Sequence, residues 1–347
     1  MLIFRLCILP LIPLIPLIPA FTIKYNYKVP FISEVNNIDI NSVDIDTMKQ
    51  LKHLFQTTPV LVFKNQRVSP QSHFEFCSKF DSKYTTNVVH PFTTTAIPEC
   101  PQIALRGKGR IENIFGVQNQ IISNREIFEY TPVWHQDLVG TRDRQPTKVS
   151  SIYMLQPSET GGSTLFASME KGYENMNNDC RYMYDNLQAC YSNKLGENAV
   201  MDHTGYSRID RQVNYNVETM KQLQDDVVIR PLVIYPEESS RKKSLLLSPD
   251  TFCGFLGFPL QKSKTIMNKI MSNYVLTESN TVELIYEQYD LVMFNNRRVI
   301  HSSTPISEIE GSRIISMLLL DTKERFVSNI PFPLSRGCID LYKDRDI

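Results

Sequence analysis

This 347-residue chain has no excess of charge of either sign: 37 basic and 37 acidic residues balance, and no long run of one sign occurs. A balanced surface gives no reason to expect nucleic acid or an anionic membrane as the main partner. The hydrophobic fraction of 42% is sufficient for a sizeable core, and the length allows one large domain or two ordinary ones. A small-molecule substrate is therefore the expected partner, and no nucleic-acid partner is predicted.

The chain also lacks paired cysteines. Its seven cysteines are scattered, and no two of them form a C-x-x-C pair. This pattern argues against both a disulfide framework and a zinc ribbon, so the thiols are expected to be free and mostly buried.

An uninterrupted apolar run is missing as well. The N-terminal stretch MLIFRLCILPLIPLIPLIPAF is apolar but carries four prolines within ten residues. A membrane-spanning helix needs about 20 apolar residues with intact backbone bonding, and proline opposes that. No stable membrane span is predicted. Residues 1–24 are interpreted as an apolar leader, either a secretory signal or a polyproline-like segment. The compartment stays open, with the cytoplasm slightly favoured over secretory or organellar targeting.

Hydrophobic periodicity predicts short strands separated by long insertions, with helices near the start and in the middle of the chain. This order favours a mainly β fold with flanking helices (α+β), of the sandwich or jelly-roll type. The predicted helices cover residues 45–55, 70–80 (with Ser69 as the cap and Pro70 in the first turn), 169–176 after a Ser168 cap, and 259–275; the predicted strands cover 59–63, 149–156, 163–168, 225–235, 243–248, 290–296 and 313–320.

Two stretches show no clear period. Residues 25–44 are interpreted as irregular chain, and residues 80–130 as a long loop region over an opening. The predicted organisation is the leader, an N-terminal approach segment over 25–58, a main domain over 59–325, and a C-terminal tail over 326–347.

The only tryptophan lies in TPVWHQD, where a histidine and an aspartate follow it with one residue between them. On a strand, residues i and i+2 point to the same face, so His135 and Asp137 could bind one metal ion. Among the other five histidines, His301 has the best context, because a predicted buried strand breaks into polar residues there. Two histidines and one carboxylate suit an Fe(II) ion that activates oxygen, and zinc is the competing metal.

Four blocks of the sequence resemble the taurine dioxygenase-like (TauD/TfdA) family of Fe(II)/2-oxoglutarate-dependent dioxygenases. In chain order they are PVLVFKNQRVSP, WHQD, ETGGSTLFASMEKGYENM, and NNRRVIHSSTP followed by GSRIISM. The resemblance implies a double-stranded β-helix (jelly roll) of the clavaminate synthase-like type. It implies His135, Asp137 and His301 as the iron ligands, and Thr164 and Arg313 as the residues that hold 2-oxoglutarate. Arg313 stands one residue further from the last histidine than the family pattern expects.

The same resemblance implies the activity. Fe(2+), O2 and the cosubstrate 2-oxoglutarate would together oxidise a C–H bond of a small organic substrate, while 2-oxoglutarate is decarboxylated to succinate and CO2. Sulfonate- and aryloxyacetate-cleaving relatives carry a second arginine where this chain has Met317. A thioether cannot pair with a sulfonate, so taurine itself is not the expected substrate. His90, Thr131 and Met317 are predicted to contact the substrate, and Trp134 is expected mainly to pack.

Three alternatives remain open from the sequence. One is a catalytically inactive jelly-roll binding or regulatory protein. Another is a quaternary-amine hydroxylase related to the carnitine pathway, with an aromatic cage to which Tyr130, Tyr153 and Phe252 would contribute. A zinc hydrolase is the third, although it gives the GGST block no role. The sequence is also compatible with a homo-oligomer.

Overall fold

The computed structural model describes residues 21–26, 29–122, 133–142, 144–192, 227–306 and 312–329. Residues 1–20 of the predicted leader, Tyr130, Thr131 and the tail from residue 330 lie outside this set. None of the described helices has the length and apolar character needed to cross a membrane. The five described cysteines are all free and buried, as expected.

The described chain consists mainly of short strands. Helices occupy Ile45–Thr57 (α1), Pro70–Ser78 (α2), Met169–Glu174 (α3), Asn178–Tyr184 (α4) and Leu260–Ile270 (α5), the last continued by a π-helical turn at Met271–Val275. Strands occupy Thr22–Tyr25 (β1), Ile32–Asn36 (β2), Val60–Phe63 (β3), Ala96–Ile97 (β4), Cys100–Ile114 (β5), Val117–Ile122 (β6), Val149–Gln156 (β7), Thr164–Ser168 (β8), Gln188–Tyr191 (β9), Val228–Pro231 (β10), Val233–Ile234 (β11), Ser244–Leu245 (β12), Phe252–Phe255 (β13), Thr281–Leu284 (β14), Leu291–Asn295 (β15), Val299–Ser303 (β16) and Arg313–Leu319 (β17).

Two sheets form the frame of the molecule. The larger has the strand order β1-β2-β3-β15-β7-β17-β5-β4, with β6 added to β5, and the smaller has the order β14-β8-β16. One hydrophobic cluster joins facing side chains of the two sheets, such as Ile152 and Ile315 with Phe166 and Val299. A second cluster packs α1 and α2 on the outer face of the large sheet, and a third lies around α3 and α5. The prediction of a mainly β fold with flanking helices is confirmed.

Side-chain caps begin the helices where the sequence indicates. The Ser69 hydroxyl accepts a hydrogen bond from the Ser72 amide at 3.1 Å, and proline fills the first helical position of α2. The Ser168 hydroxyl accepts from the Lys171 amide at 3.1 Å. Because Ser168 also ends β8, the strand passes directly into α3, and both capping predictions are confirmed.

The structure corrects the interpretation of the two stretches without clear periodicity, because both contain strands. Residues 25–44 include β2, which pairs in parallel with β3 through partners such as Ile32 and Val60. Residues 80–130 include the β5–β6 hairpin, and β5 alone is 15 residues long. β2 and β5 carry polar residues and lack a clean alternation of polar and apolar residues. Pairing with neighbouring strands therefore decides their conformation more than local propensity does.

A polar cluster lies in the core between α2 and the large sheet. The His73 ring lies 2.7 Å through Nε2 from the Ser151 hydroxyl and 3.3 Å through Nδ1 from the Ser316 hydroxyl. Burial lowers the pKa of His73 to about 3. The imidazole is therefore neutral in the folded protein at neutral pH.

This burial predicts an acid sensitivity. The unfolded chain takes up a proton on His73 below its ordinary pKa of 6.5, whereas the folded chain resists protonation down to about pH 3. Stability is therefore lost as pH falls through that window, by up to about 1.4 kcal/mol per pH unit from this one group. We expect His73→Gln to be less stable at pH 7.5 but to lose less stability between pH 6.5 and 4.5, as measured by urea unfolding. His53→Gln, on the exposed face of α1, is the control, and parallel pH dependences for wild type and His73→Gln would contradict the account.

Candidate active site

A two-hydrogen-bond bridge between distant parts of the chain brings the predicted metal ligands together. The His135 amide donates to the His301 carbonyl at 2.9 Å, and the His301 amide donates to the His135 carbonyl at 3.0 Å. His301 belongs to β16, which pairs with β8 in the small sheet. The two imidazole rings lie 4.3 Å apart, centroid to centroid.

The Asp137 carboxylate lies near the Nε2 atoms of both rings. The His135 Nε2 atom is 3.9 Å from Asp137 Oδ1, and the His301 Nε2 atom is 3.7 Å from Asp137 Oδ2. One ligand atom from each of the three residues lies within 4.8 Å of the others. The structure therefore assembles the three side chains as a set that one divalent ion could bind.

The protonation of the rings fits metal binding. The His135 Nδ1 atom lies 2.8 Å from the Val133 carbonyl. A carbonyl only accepts, so Nδ1 carries the proton, and in the neutral ring Nε2, 3.9 Å from Asp137 Oδ1, is left with a lone pair that can bind a metal. Burial, with a smaller contribution from His135, lowers the pKa of His301 well below its ordinary value. Its ring packs against Phe294 and Phe166, with centroids 4.9 and 6.0 Å away.

Asn296 fixes the backbone of Asp137. Its side-chain oxygen accepts from the Asp137 amide at 2.8 Å, and its Nδ2 donates to the Asp137 carbonyl at 3.0 Å. The Ser150 hydroxyl donates to Asp137 Oδ2 at 3.3 Å. The carboxylate is thus held through its own main chain and through one hydroxyl, and sequence reasoning missed both supporting residues.

A strained turn follows Asp137 and is stabilised by hydrogen bonds from Arg230. Leu138 has a positive φ of 63°, a conformation that costs a non-glycine residue about 1–2 kcal/mol. The buried Arg230 guanidinium donates to the carbonyls of Val139, Thr141 and Arg144 at 3.2, 3.0 and 2.6 Å. These bonds hold the wall of the cavity that begins at Asp137.

Thr164 and Arg313 meet at one side of the same cavity. The Tyr286 hydroxyl donates to Thr164 Oγ1 at 2.8 Å, and the Arg313 Cζ atom lies 5.6 Å from the Tyr286 ring centroid. Arg313 is only 2% exposed, and its Nε has no hydrogen-bond partner. Burial lowers the pKa of Arg313, and no carboxylate within the described residues forms an ion pair with it. A buried guanidinium without a counter-charge is costly, so an anionic ligand would fit this position.

The glycine pair of the GGST block makes room for that arginine. Gly161 and Gly162 have φ values of +67° and +71°. A Cβ on Gly161 would lie 1.9 Å from the Pro305 carbonyl oxygen, and one on Gly162 would lie 2.8 Å from Arg313 Cδ. Both positions therefore require glycine, for the backbone conformation and for the close approach.

The cavity has a volume of about 410 Å³. The three metal-ligand candidates, Thr164, Arg313 and Met317 all line it. The rest of the lining is mixed: it includes the apolar side chains of Val89, Phe92, Ile152 and Leu319 and the polar or charged side chains of Arg106, Asp250 and Ser303.

His90 does not line this cavity. Its Nε2 donates to the Pro101 carbonyl at 2.8 Å, its Nδ1 accepts from the Phe92 amide at 3.3 Å, and its ring stacks on Phe92 with centroids 5.9 Å apart. The direct substrate contact predicted for His90 is therefore not supported, because both ring nitrogens are engaged by the backbone. Thr131 lies outside the described residues.

The proposed aromatic cage is not assembled by its described members. Tyr153 belongs to the cluster under α1 and α2, where its hydroxyl donates to the Gln66 carbonyl at 2.8 Å. Phe252 and Trp134 belong to the cluster around α3 and α5. Trp134 packs, as expected, and Tyr153 and Phe252 lie in separate clusters.

Sequence reasoning missed Arg106, Tyr286 and Asn296. Arg106 was hidden because residues 80–130 were interpreted as loop, and recognising β5 would have shown which side chains share its face. Asn296 lies in the NNRRVIH block, five residues before His301. This closeness in sequence to a predicted metal ligand is the one feature that could have pointed to Asn296. Tyr286 had no local signal, since its contact with Thr164 is long-range.

Comparison with known proteins gives matches in sequence and in fold. A family model described as "Taurine catabolism dioxygenase TauD, TfdA family" matches residues 26–318. An alkylsulfatase of Acinetobacter baylyi (strain ATCC 33305 / BD413 / ADP1) is 30% identical over 168 residues, which cover 48% of this chain and 50% of that protein. A putative alpha-ketoglutarate-dependent sulfonate dioxygenase of Schizosaccharomyces pombe (strain 972 / ATCC 24843) is 25% identical over 171 residues, or 49% of this chain and 39% of the relative. The match thus spans half or less of these curated relatives.

Solved structures share the fold. A taurine dioxygenase from Burkholderia xenovorans superposes with a TM-score of 0.63 at 16% identity, covering 93% of this chain and 100% of the other. AAD-2, solved in complex with Mn(II) and N-oxalylglycine, gives a TM-score of 0.60 at 16% identity, covering 88% and 98%. The prediction of a jelly-roll fold is confirmed.

The contacts of Asn296 generate a test that does not require activity. We expect Asn296→Ala to bind Mn(II) about 10- to 100-fold more weakly than wild type, because outer residues that orient a metal ligand typically contribute that much. Free Mn(II) can be measured by electron paramagnetic resonance during titration.

A matched control is available in Asn280, which is equally buried and donates to the Ser168 and Val275 carbonyls at 2.9 and 2.8 Å. Asn280→Ala should lose stability but keep its affinity for Mn(II). Equal Mn(II) affinities in the two variants would show that Asn296 does not support the metal ligand.

Proposed function

Because the chain belongs to the taurine catabolism dioxygenase TauD, TfdA family, we propose that it is an Fe(II)/2-oxoglutarate-dependent dioxygenase. The reaction would oxidise a C–H bond of a small organic substrate other than taurine and convert 2-oxoglutarate and O2 to succinate and CO2. His135, Asp137 and His301 would hold the iron, and Thr164 and Arg313 would bind the cosubstrate.

One observation carries the proposal: a buried arginine without an ion pair in the described chain shares a cavity with a complete two-histidine, one-carboxylate set. Such a ligand set with open positions suits Fe(II) in oxygenases. An arginine fork suits the distal carboxylate of 2-oxoglutarate, since it can donate two parallel hydrogen bonds. Zinc hydrolysis would leave Arg313 and the Thr164–Tyr286 pair without a role.

The hydrogen bond from Tyr286 leaves the Thr164 hydroxyl as a donor. Because the Thr164 oxygen already accepts from the tyrosine hydroxyl at 2.8 Å, its own proton is available to donate elsewhere. That proton would be donated to the same carboxylate that Arg313 binds. Burial raises the pKa of Tyr286, so the phenol stays protonated and keeps donating.

The remaining residues position and shield the reacting groups. When bound, iron together with 2-oxoglutarate supplies the oxidising chemistry, which is the cofactor's own. This chain holds Asp137 through Asn296, keeps His301 neutral among Phe166 and Phe294, and surrounds the cavity with apolar side chains that limit water.

The experiment is an anaerobic calorimetric titration of Fe(II)-loaded protein with 2-oxoglutarate, followed by addition of O2 and measurement of succinate. We expect binding in wild type and succinate above the level given by Asp137→Asn. An inactive jelly-roll binding protein would bind 2-oxoglutarate without forming succinate above that level. Failure of wild type to bind 2-oxoglutarate would overturn the proposal.

Gly162 offers a specific test of the cosubstrate position. Gly162→Ala places a methyl group 2.8 Å from Arg313 Cδ, so we expect it to displace the guanidinium and weaken 2-oxoglutarate binding by about tenfold or more. Gly257→Ala is the matched control, because its φ of +79° imposes similar backbone strain while nothing lies within 4 Å of the added methyl. If both variants bind 2-oxoglutarate as wild type does, Arg313 is not its anchor.

The organisation of the chain stays a prediction. The boundary at residue 59 separates β2 from its parallel partner β3, and the family match already begins at residue 26. We therefore propose that residues 25–58 form part of the dioxygenase unit. A homo-oligomer and the lack of a nucleic-acid partner are also still predictions.

A further inference from the structure

We propose that Gln136 is a positioning residue of the metal site, which sets the separation between its two neighbours His135 and Asp137. Its side chain does so by fixing the main chain of residues 135–137, here called the ligand segment. The inference rests on the proposed function, because it takes the three candidate ligands to bind one ion, but it is tested by metal binding and spectroscopy without turnover.

The side-chain amide of Gln136 is buried, and both of its ends bind the main chain. Gln136 is only 2% exposed. Its Oε1 accepts from the Leu247 amide at 2.9 Å, and its Nε2 donates to the Asn296 carbonyl at 2.9 Å. Only this orientation of the amide satisfies both partners, because a main-chain N–H donates and a main-chain carbonyl accepts. Gln136 therefore joins the ligand segment to two other segments, one just after β12 and one between β15 and β16.

The main chain of Gln136 adds a third attachment. Its amide donates to the Ser248 hydroxyl at 2.9 Å. That hydroxyl has one proton of its own, which is donated to Asp250 Oδ1 at 2.6 Å rather than to the Gln136 carbonyl at 3.2 Å, because a hydrogen bond to a charged acceptor is stronger. Asp250 lines the cavity, so one serine hydroxyl links the ligand segment to another part of the cavity wall.

Without the Gln136 side chain, the ligand segment would be held mainly at its two ends. The β-bridge holds it at His135, and the Asn296 side chain holds it at Asp137. A short segment fixed at two points can still rotate about the line that joins them, and the bond to Leu247 restricts that rotation. The distance of 3.9 Å between His135 Nε2 and Asp137 Oδ1 depends on this restriction, so loss of the side chain should alter the geometry of the metal site.

Gln66 is a matched control for Gln136. It is 3% exposed, its Oε1 accepts from the Ile40 amide at 3.0 Å, and its Nε2 donates to the Ile38 and Lys64 carbonyls at 2.9 and 2.7 Å. Gln66 is thus a buried glutamine that also joins main-chain segments, but it does not line the cavity. Gln66→Met should lower stability in the same way as Gln136→Met, because both leave buried main-chain groups unpaired.

The test is metal binding to wild type, Gln136→Met, Gln136→Asn and Gln66→Met, each at a temperature at which circular dichroism shows it folded. Methionine has nearly the length of glutamine without its hydrogen bonds, and asparagine keeps the amide but is too short to reach both partners. Mn(II) affinity is measured by electron paramagnetic resonance, and the visible spectrum of bound Co(II) reports the geometry of the ligands. A loss of stability alone would leave that spectrum unchanged in folded protein.

We expect Gln136→Met to bind Mn(II) about 10- to 100-fold more weakly than wild type and to shift the Co(II) bands. Gln136→Asn should lie between these two proteins, and Gln66→Met should match wild type in both measurements. Wild-type affinity and spectrum in Gln136→Met, or an equal loss in Gln66→Met, would overturn the positioning role. If Gln136→Met does not fold, the same criteria apply to Gln136→Asn.

The wild-type protein separates this inference from the proposed function. Absence of metal binding in wild type would overturn the proposed function and the positioning role with it. An unchanged Gln136 variant beside a wild type that binds the metal would overturn the positioning role alone.

Discussion

The site depends on one short β-bridge, the pair of backbone hydrogen bonds between His135 and His301. One histidine comes from the loop after residue 132 and the other from β16, so no local element could hold them together. Main-chain bonds of 2.9 and 3.0 Å set the distance between the two rings, and Asp137 follows because it is two residues from His135. Asn296, Ser150 and Arg230 then form hydrogen bonds to residues 137–144 and hold that segment in place.

The large sheet supplies the buried arginine of the cavity. β17 carries Arg313 and Met317 into the cavity, while its alternate residues Ile314, Ser316 and Leu318 face the core under α2. The strand thus serves the site and the core with opposite faces, as a period of two requires. Its neighbour β5 repeats this alternation and adds Arg106 to the same face. The positive charges on this side of the cavity therefore come from two strands, whereas the Asp137 carboxylate comes from the loop that begins at residue 133.

Much of the site could be predicted because its signals are local. The H-x-D spacing, the Gly-Gly pair and the Ser168 cap each express a short-range requirement of geometry, and the structure shows what the glycines accommodate. The iron and cosubstrate roles of these residues remain predictions. Arg106, Tyr286 and Asn296 were missed because their roles arise from cross-strand register and long-range hydrogen bonds. For His90, the sequence could not show that backbone groups of Phe92 and Pro101 bond to both nitrogens of its ring, and its contact with the substrate stays a prediction.

The most direct measurement is an anaerobic titration of the purified protein with Fe(II) and 2-oxoglutarate, monitored in the visible range for the charge-transfer band of the iron chelate. We expect the band to appear at one equivalent of Fe(II) in wild type and to be lost in His301→Ala, because the bridge makes His301 one of three ligands of a single ion. A full band in His301→Ala, or no band in wild-type protein that has bound Fe(II), would contradict the account.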